Sequence, residues 1–399
     1  MKKTSIIALV LVLAMVFAGC TSNELKLYNA VNKMQDVTSM ESDISFSFTM
    51  TGEGFSEEEQ KNLQQVTSMM NPLEINMHQK MVQNKEKTSA RGAVDTNLSF
   101  SGMAMDMEVW VDTDMSGDKP KLIEIIKMPP LIMNSMYPED NTKEYLVYDF
   151  YKMMGETQEQ INVNEVFKFS KEMQSQIAKF IKDSQEKFNP GFEVAKYKEK
   201  RTVDGKELSI YEVKLDDAAF KNLVRYTVNY PISSKDTIEF IEQYINLVSK
   251  IVDTNAKQEP QLNQEKVNLE LDELKKELPS LKEKFNTFMD TFKDVKIIGD
   301  KGIVLEYGIN SDGYIAHEAG SIPLEVNIKA IGKAMGEEEP ASSGILKLDM
   351  SFSTKVYNIN APMQIDMPVV NESNSIDITD IMNKSMNTNT EVNMNTDMN

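Results

Sequence analysis

The sequence predicts an α+β fold in which helices accompany a largely antiparallel sheet. Near both ends of the chain, apolar and polar residues alternate over short segments, for example at Ile44, Phe46 and Phe48. Such alternation is typical of strands with one apolar face. Between these two blocks, apolar residues recur at steps of three and four, which is typical of helices. Strands that come in blocks, and do not alternate with helices one by one, favour an antiparallel sheet over a doubly wound fold.

The first block begins with a helix and continues mainly as strands. Apolar spacing predicts a helix over about 25–37, and alternation predicts the strand that carries Ile44. Ser56 followed by Glu59 has the pattern of a capping box, which predicts a helix over about 57–69. Further strands are predicted over about 73–81, 103–111, 121–127 and 144–150.

The middle of the chain is predicted to be mostly helical. A helix around residues 166–180 is followed by a hairpin of strands 192–201 and 207–215, with Asp204-Gly205 at its turn. Residues 216–252 then predict one or two helices, broken at Pro231.

A seam of apolar residues follows, with alternating steps of four and three. It could form a coiled coil between chains or pack against the protein's own sheet. Pro279 lies inside it and is expected to kink or split the helix, so packing against the sheet is favoured. The members of the seam are Val267, Leu271, Leu274, Leu278, Leu281, Phe285, Phe288 and Phe292.

Strands return in the last block, at about 303–309, 322–328 and 346–352, and residues 333–343 predict a polar loop. From residue 371 the chain is rich in Asn, Thr, Asp, Ser and Met, with no apolar pattern. Such a composition predicts a disordered polar tail over 371–399.

The N-terminus has the order of a secretory signal. Lys2 and Lys3 precede an apolar run from Ile6 to Phe17, and the small residues Ala18 and Gly19 follow. The run is shorter than the roughly 20 apolar residues of a spanning helix. Phe17-Ala18-Gly19-Cys20 resembles the lipobox of bacterial lipoproteins, with Phe17 where Leu is usual. This resemblance implies cleavage before Cys20 and acylation of its thiol.

The resulting organisation is a signal peptide over 1–19, one domain over 20–370 with a large helical section at about 216–292, and the tail over 371–399. Cys20 is the only cysteine, so no disulfide can form within the chain. Two acyl chains on Cys20 would anchor the protein stably at the extracellular face of the cell membrane. The chain has 62 acidic against 43 basic residues, a net charge of −19, which disfavours nucleic acid as a partner.

No pattern in the sequence predicts an enzyme or a bound cofactor. The two histidines, His78 and His317, are expected to be solvated, and the single cysteine excludes a cysteine-rich metal site. No glycine-rich phosphate loop and no Gly-x-Ser-x-Gly motif occurs.

An acidic loop after the strand at 103–111 offers a weak calcium candidate. Asp112, Asp114 and Ser116 fall at positions one, three and five of a calcium loop, and Gly117 falls at position six. Position twelve lacks its carboxylate, because Ile123 stands there. A polar hairpin turn is the competing interpretation.

Methionine is unusually frequent, with 28 residues. Met103, Met105 and Met107 alternate along one strand, in line with Val109, and Met77 lies on the strand before. These five side chains could wall a core or line an apolar pocket, because methionine is a flexible filler that accepts varied neighbours. Thioethers also suit Cu(I), which leaves a copper site as a third interpretation.

The chain resembles the LolA/LppX-like lipoproteins in its lipobox, its order of strands and helices, and three motifs. One is Val203 to Lys206 leading into Tyr211 to Asp216, and another is the turn from Ser311 to Ile315. The third runs from Tyr357 to Pro362, with Ile365 and Pro368. The resemblance implies a half-open antiparallel barrel whose concave face is covered by helices, with an apolar cavity between them.

Residues 56–154 also resemble uncharacterised clostridial surface lipoproteins, notably at Trp110 to Asp114 and at Ile125 to Pro130. The resemblance to the LolA/LppX-like lipoproteins implies that an apolar or amphiphilic, lipid-like ligand is bound. The alternatives are a non-catalytic scaffold protein with a filled core, and a methionine-based copper binder.

Overall fold

The computed structural model of the protein describes residues 22–116, 121–138, 140, 142–153, 173, 176–177, 179–180, 184, 187, 189–244, 264–338 and 342–379. The predicted signal peptide and Cys20 lie outside these residues, as does the part of the predicted tail after residue 379.

The described helices include α1 to α7, which we number along the chain. Residues 235–244 are also helical. The bounds are α1 Ser22–Met34, α2 Glu57–Met70, α3 Pro130–Met136, α4 Phe150–Met153, α5 Asp217–Ser233, α6 Gln264–Thr291 and α7 Ile328–Ala334.

The strands are numbered in the same way. Their bounds are β1 Ser39–Glu53, β2 Leu73–Gln83, β3 Ser89–Phe100, β4 Met103–Asp114, β5 Lys121–Lys127, β6 Tyr145–Asp149, β7 Ala195–Val203, β8 Lys206–Leu215, β9 Ile303–Ile309, β10 Ile315–Asn327, β11 Ile345–Tyr357 and β12 Ser375–Asp377.

The strands form an unclosed sheet in the order β12-β6-β5-β4-β3-β2-β1-β11-β10-β9-β8-β7. The pairs β3–β4, β4–β5, β5–β6, β7–β8, β8–β9 and β9–β10 are antiparallel. Strand β12 pairs with β6 in parallel. The predicted α+β class with a largely antiparallel sheet is therefore confirmed. The half-open barrel and its cover of helices stay predictions.

The chain divides into two compact units, whereas the sequence predicts one domain over 20–370. The first unit comprises the described residues within Met1–Gln35, Phe46–Glu74 and Glu165–Thr354. The second comprises those within Asp36–Ser45, Ile75–Asn164 and Lys355–Asn399. Both β1 and β11 run from one unit into the other.

The first unit has a core that helices and strands build together. Phe180 and Phe240, from helical segments, stack with their ring centroids 4.5 Å apart. They belong to one buried cluster with side chains of β8 and β9, and Phe220 and Leu223 of α5 pack against that cluster. Its buried members are Leu27, Met173, Phe180, Val194, Ala195, Tyr211, Val213, Leu215, Phe240, Ile298 and Ile303.

Buried polar contacts fix the helices of the first unit. The buried Glu24 of α1 accepts a hydrogen bond of 2.6 Å from the backbone N–H of Val194, directly before β7. At the start of α5, the Asp217 carboxylate accepts hydrogen bonds from the backbone N–H groups of Ile297 and Ile298, at 2.7 and 2.9 Å. Each contact satisfies a backbone donor that burial would otherwise leave unpaired.

Two predicted helix boundaries change in the structure. Helix α6 runs unbroken through Pro279, so this proline does not split it. Pro231 lies inside α5, which ends two residues later at Ser233. A proline removes one backbone hydrogen bond, and the rest of a long helix can tolerate that loss. The capping box of Ser56 and Glu59 at the start of α2 is confirmed.

The second unit has its own small buried cluster. Met133 of α3, Leu146 of β6 and Ile376 of β12 form it, and Ile126 of β5 packs against them. The prediction that the tail begins at residue 371 is therefore wrong for residues 375–377, which form a strand. The reason is that, within residues 371–379, only Ile376 and Ile378 pack against the small buried cluster, and two alternating apolar residues are too few to mark a strand.

We expect Ile376→Ala to destabilise the protein. The Ile376 side chain is 8% exposed, and removing it leaves a cavity beside Met133 and Leu146. Truncation of a buried isoleucine costs about 2–5 kcal/mol of the free energy of unfolding. Val369→Ala is the control, because Val369 is 82% exposed. Equal effects of the two variants in urea unfolding would show that β12 does not pack.

An ionic cluster lies on the strands at the β7 end of the sheet. Glu306 of β9 accepts hydrogen bonds from Arg201 Nη1 at 2.8 Å and from Lys198 Nζ at 2.7 Å. The Glu306 side chain is mostly buried, and the hydrogen bond from Arg201 is the largest cause that lowers its pKa to about 2. Because this pKa lies below that of an unfolded glutamate, the pair stabilises the fold above about pH 4.5.

Acidification should therefore remove the contribution of Glu306 as the pH falls from about 4.5 towards 2. We expect Glu306→Gln to lower the melting temperature at pH 7, and the gap between parent and variant to narrow between pH 5 and 3. Glu207→Gln, at the exposed pair of Glu207 with Lys200, should change little. A gap for Glu306→Gln that stays constant over this range would contradict the assignment.

Candidate functional site

The predicted methionine face is built by a tight hairpin in the second unit. Strands β3 and β4 are joined by Ser101 and Gly102, whose φ angles are +50° and +76°. Two residues with positive φ are typical of a type I′ turn, which suits the twist of paired strands. The turn places Phe100 opposite Met103 and keeps this register along the full length of both strands.

The register brings three of the predicted methionines together with apolar residues of β3. Paired residues of an antiparallel sheet point to the same face. We call this set the methionine surface: Met103, Met105, Met107 and Val109 of β4 with Phe100, Leu98, Thr96 and Val94 of β3.

The methionine surface is not a closed core. Met103 is 53% exposed, and the other seven side chains are all partly exposed. At one end, Val109 lies opposite Ile126 of β5, which packs on the small buried cluster. Met77, the fifth predicted ligand residue, is partly exposed on β2. The copper interpretation of the methionines stays an alternative.

The opposite face of β4 carries both charged and aromatic side chains. Trp110 lies opposite Ile125, which is buried, and its ring is 6.3 Å from that of Tyr145. Glu108 on the same face accepts a hydrogen bond of 2.8 Å from Lys127 Nζ. We call this side the tryptophan face.

On the tryptophan face, the Asp112 carboxylate holds two cations. Its Oδ2 atom lies 3.2 Å from Arg91 Nε and 2.6 Å from Lys121 Nζ. The Asp112 side chain is only 8% exposed, whereas both cationic side chains are about half exposed. Burial of this carboxylate is therefore compensated by two charge-assisted hydrogen bonds.

The calcium assignment for Asp112, Asp114 and Ser116 stays a prediction. The Asp114 Oδ1 atom accepts hydrogen bonds from the backbone N–H and the hydroxyl of Ser116, at 2.9 and 2.5 Å. The hydroxyl bond is the main cause that lowers the Asp114 pKa. Gly117 lies outside the described residues. Those residues contain no cluster of three or more His, Cys, Asp and Glu side chains suited to a metal ion.

A pocket of about 470 Å³ opens on this part of the second unit. Polar and charged side chains from the ends of β2 to β5 line one part of it, and an irregular segment after β11 lines the other. Its lining includes Arg91, Asp112, Asp114, Lys121, Met363 and Ile365.

Sequence reasoning missed Arg91 and Lys121, and it missed β3 altogether. The residues of β3 include few of the apolar side chains that mark a strand. The dipeptide Ser101-Gly102 could have predicted β3, because it has the composition of a two-residue hairpin turn. Once such a turn is assigned, counting residues back from it gives the partner of each residue of β4. Arg91 falls opposite Asp112 by that count.

The two histidines differ from the solvated side chains that the sequence predicts. His78 Nδ1 lies 2.8 Å from Asp43 Oδ1 and 3.4 Å from the Tyr357 hydroxyl, in a partly exposed group. His317 is partly buried on β10.

The predicted apolar seam is partly exposed on α6, where Leu281 is 37% and Phe288 52% exposed. Phe292, just beyond the end of the helix, is buried. Within the part of the chain that the structure describes, no helix is both long and apolar enough to cross a membrane.

Comparison with known proteins gives little. No protein-family model matches the chain, and no curated protein matches it. Among solved structures, the chain is similar to the crystal structure of Mycobacterium tuberculosis lipoprotein LppX. The two share 8% sequence identity and a TM-score of 0.24, over 86% of this chain and 97% of that chain. The LolA/LppX-like architecture stays a prediction.

Proposed function

We propose that this protein is a non-catalytic lipoprotein, anchored by acyl chains on Cys20 at the extracellular face of the cell membrane. It binds an apolar or amphiphilic, lipid-like ligand along the methionine surface. The signal-like N-terminus and the lipobox-like residues before Cys20 support the anchor.

The observation that carries the ligand-binding role is the partial exposure of the methionine surface. Three methionines and four other apolar side chains, those of Val109, Phe100, Leu98 and Val94, share one face of two paired strands, and none of them is buried. Contiguous apolar surface of this kind is unfavourable in water and marks binding sites. Methionine side chains are flexible, so they adapt to ligands of varied shape.

A scaffold role is the second candidate, and the first unit favours it. Its core is filled by aromatic and aliphatic side chains of helices and strands, as the stacked Phe180 and Phe240 illustrate. Phe288 and Leu281 of the seam are exposed in the same unit, which suits contact with a partner protein.

A substitution at the centre of the methionine surface separates the two candidates. We expect Met105→Trp to weaken binding of a fluorescent apolar probe such as N-phenyl-naphthylamine, because the larger ring occupies ligand space. The melting temperature should change little, since Met105 is partly exposed and its side chain can extend towards solvent. Native mass spectrometry of the parent should show a co-purified apolar molecule that the variant has lost.

Asp106→Trp is the matched control, since Asp106 is exposed on the same strand and faces the other way. It should leave probe binding unchanged. A close-packed face would instead lose about 1–3 kcal/mol of stability on overpacking by Met105→Trp. That result, with no probe bound by the parent, would overturn the carrier role and favour the scaffold.

The anchor has its own test. We expect Cys20→Ser to remove the acylated thiol, so that the protein leaves the detergent phase and appears in the medium or accumulates unprocessed. Two acyl chains give stable membrane attachment, and without them no other anchor is proposed. Ser22→Ala, just after the acylation site, is the control and should partition as the parent does. Unchanged detergent partitioning of Cys20→Ser would refute the lipoprotein assignment.

A further inference from the structure

The pocket on the tryptophan face has the size of a small-molecule site, and most of its lining residues are polar or charged. Its volume of about 470 Å³ falls within the usual range of about 300–1,000 Å³. Cations, carboxylates and apolar side chains all reach it, and all of its lining residues belong to the second unit.

Arg91 supplies unused hydrogen-bond donors to this pocket. Only its Nε atom has an acceptor among the described residues, the Asp112 carboxylate at 3.2 Å. That bond orients the guanidinium of Arg91, whose side chain is half exposed and lines the pocket. A guanidinium with free, oriented N–H groups is well suited to bind a carboxylate.

Asp114 supplies a second negative charge nearby, which Lys121 attracts electrostatically without forming an ion pair with it. Lys121 stands directly opposite Asp114 in the register of β4 and β5, yet its Nζ atom turns to Asp112 at 2.6 Å. Within the described chain, no cation therefore lies within ion-pair distance of Asp114. Ser116 holds one oxygen of this carboxylate, which leaves the other for an ammonium group.

The backbone positions of Arg91 and Asp114 give the approximate length of the ligand. Arg91 lies opposite Asp112, and Asp114 follows two residues along the same strand face. Two residues of a strand advance by about 7 Å. Two extended residues of a peptide span about the same length.

We propose that this pocket binds a zwitterionic dipeptide, with its carboxylate at Arg91 and its ammonium at Asp114. An apolar side chain of the dipeptide lies against Met363, Ile365 and Val82, which form the apolar part of the pocket. This site is on the sheet face opposite the methionine surface, and it does not depend on the function proposed above.

Calorimetric titration with alanyl-leucine and its blocked forms tests the proposal. The free dipeptide should bind the parent protein roughly tenfold or more tightly than N-acetyl-alanyl-leucine or alanyl-leucine amide, because each blocked form loses one charged contact. Free leucine should bind more weakly, since it cannot span both groups. Absence of any preference for the free dipeptide, or tighter binding of leucine, would overturn the proposal.

Two variants assign the ends of the ligand. Arg91→Gln should lose the preference for the free dipeptide over the amide, and Asp114→Asn should lose the preference over the N-acetyl form. Asp114→Asn preserves the turn, because an asparagine keeps the oxygen that accepts hydrogen bonds from Ser116. This variant therefore tests the site even if Arg91→Gln folds poorly. Variants that keep both preferences would refute the assignment.

Lys127→Gln is the matched control. It removes one positive charge from the tryptophan face at the pair with Glu108, outside the pocket, and should bind like the parent. Met105→Trp should also leave dipeptide binding unchanged, which keeps this test distinct from that of the methionine surface. If Lys127→Gln and Arg91→Gln weakened dipeptide binding equally, the effect would come from the overall charge of the protein, and the proposed site would be contradicted.

Discussion

The two-residue turn at Ser101-Gly102 is the constraint on which both sites of the second unit depend. With both φ angles positive, it fixes which residue of β3 faces which residue of β4. Because side chains alternate between faces, a shift of one residue would exchange the two faces. The same turn thus sets the methionines beside Leu98 and Phe100 on one side, and Arg91 beside Asp112 on the other.

Local patterns predicted much of the secondary structure, and their limits are physical. Strand β5 has the bounds that alternation predicts, and Ser56 with Glu59 caps α2 as the capping box predicts. Strand β3 was not predicted from the sequence because many of its residues are small or polar. Strand β12 was not predicted because a strand of three residues is too short for alternation to distinguish it from the polar segment around it.

The candidate site was predictable only in part, for a related reason. Alternation along β4 predicted that Met103, Met105 and Met107 share one face. It did not predict which side chains lie beside them. Whether that face is covered depends on contacts distant in sequence, which no local pattern contains. The two cationic side chains that bind Asp112, Arg91 and Lys121, belong to β3 and β5, so their contacts with Asp112 depend on the pairing of three strands. In the first unit, by contrast, the apolar face of β8 and β9 is covered, because residues of helical segments pack against it in the core.

The division of the chain has a consequence for how the protein folds. The second unit is interrupted by residues 165–354 of the first, and its β12 pairs with β6 across more than two hundred residues. Pairings between segments so distant in sequence form late, because the entropic cost of closing the loop comes before the contacts that offset it. During synthesis, β6 stands as an open edge until residues 375–377 emerge from the ribosome. The last described strand therefore sets the time at which the sheet of the second unit is complete.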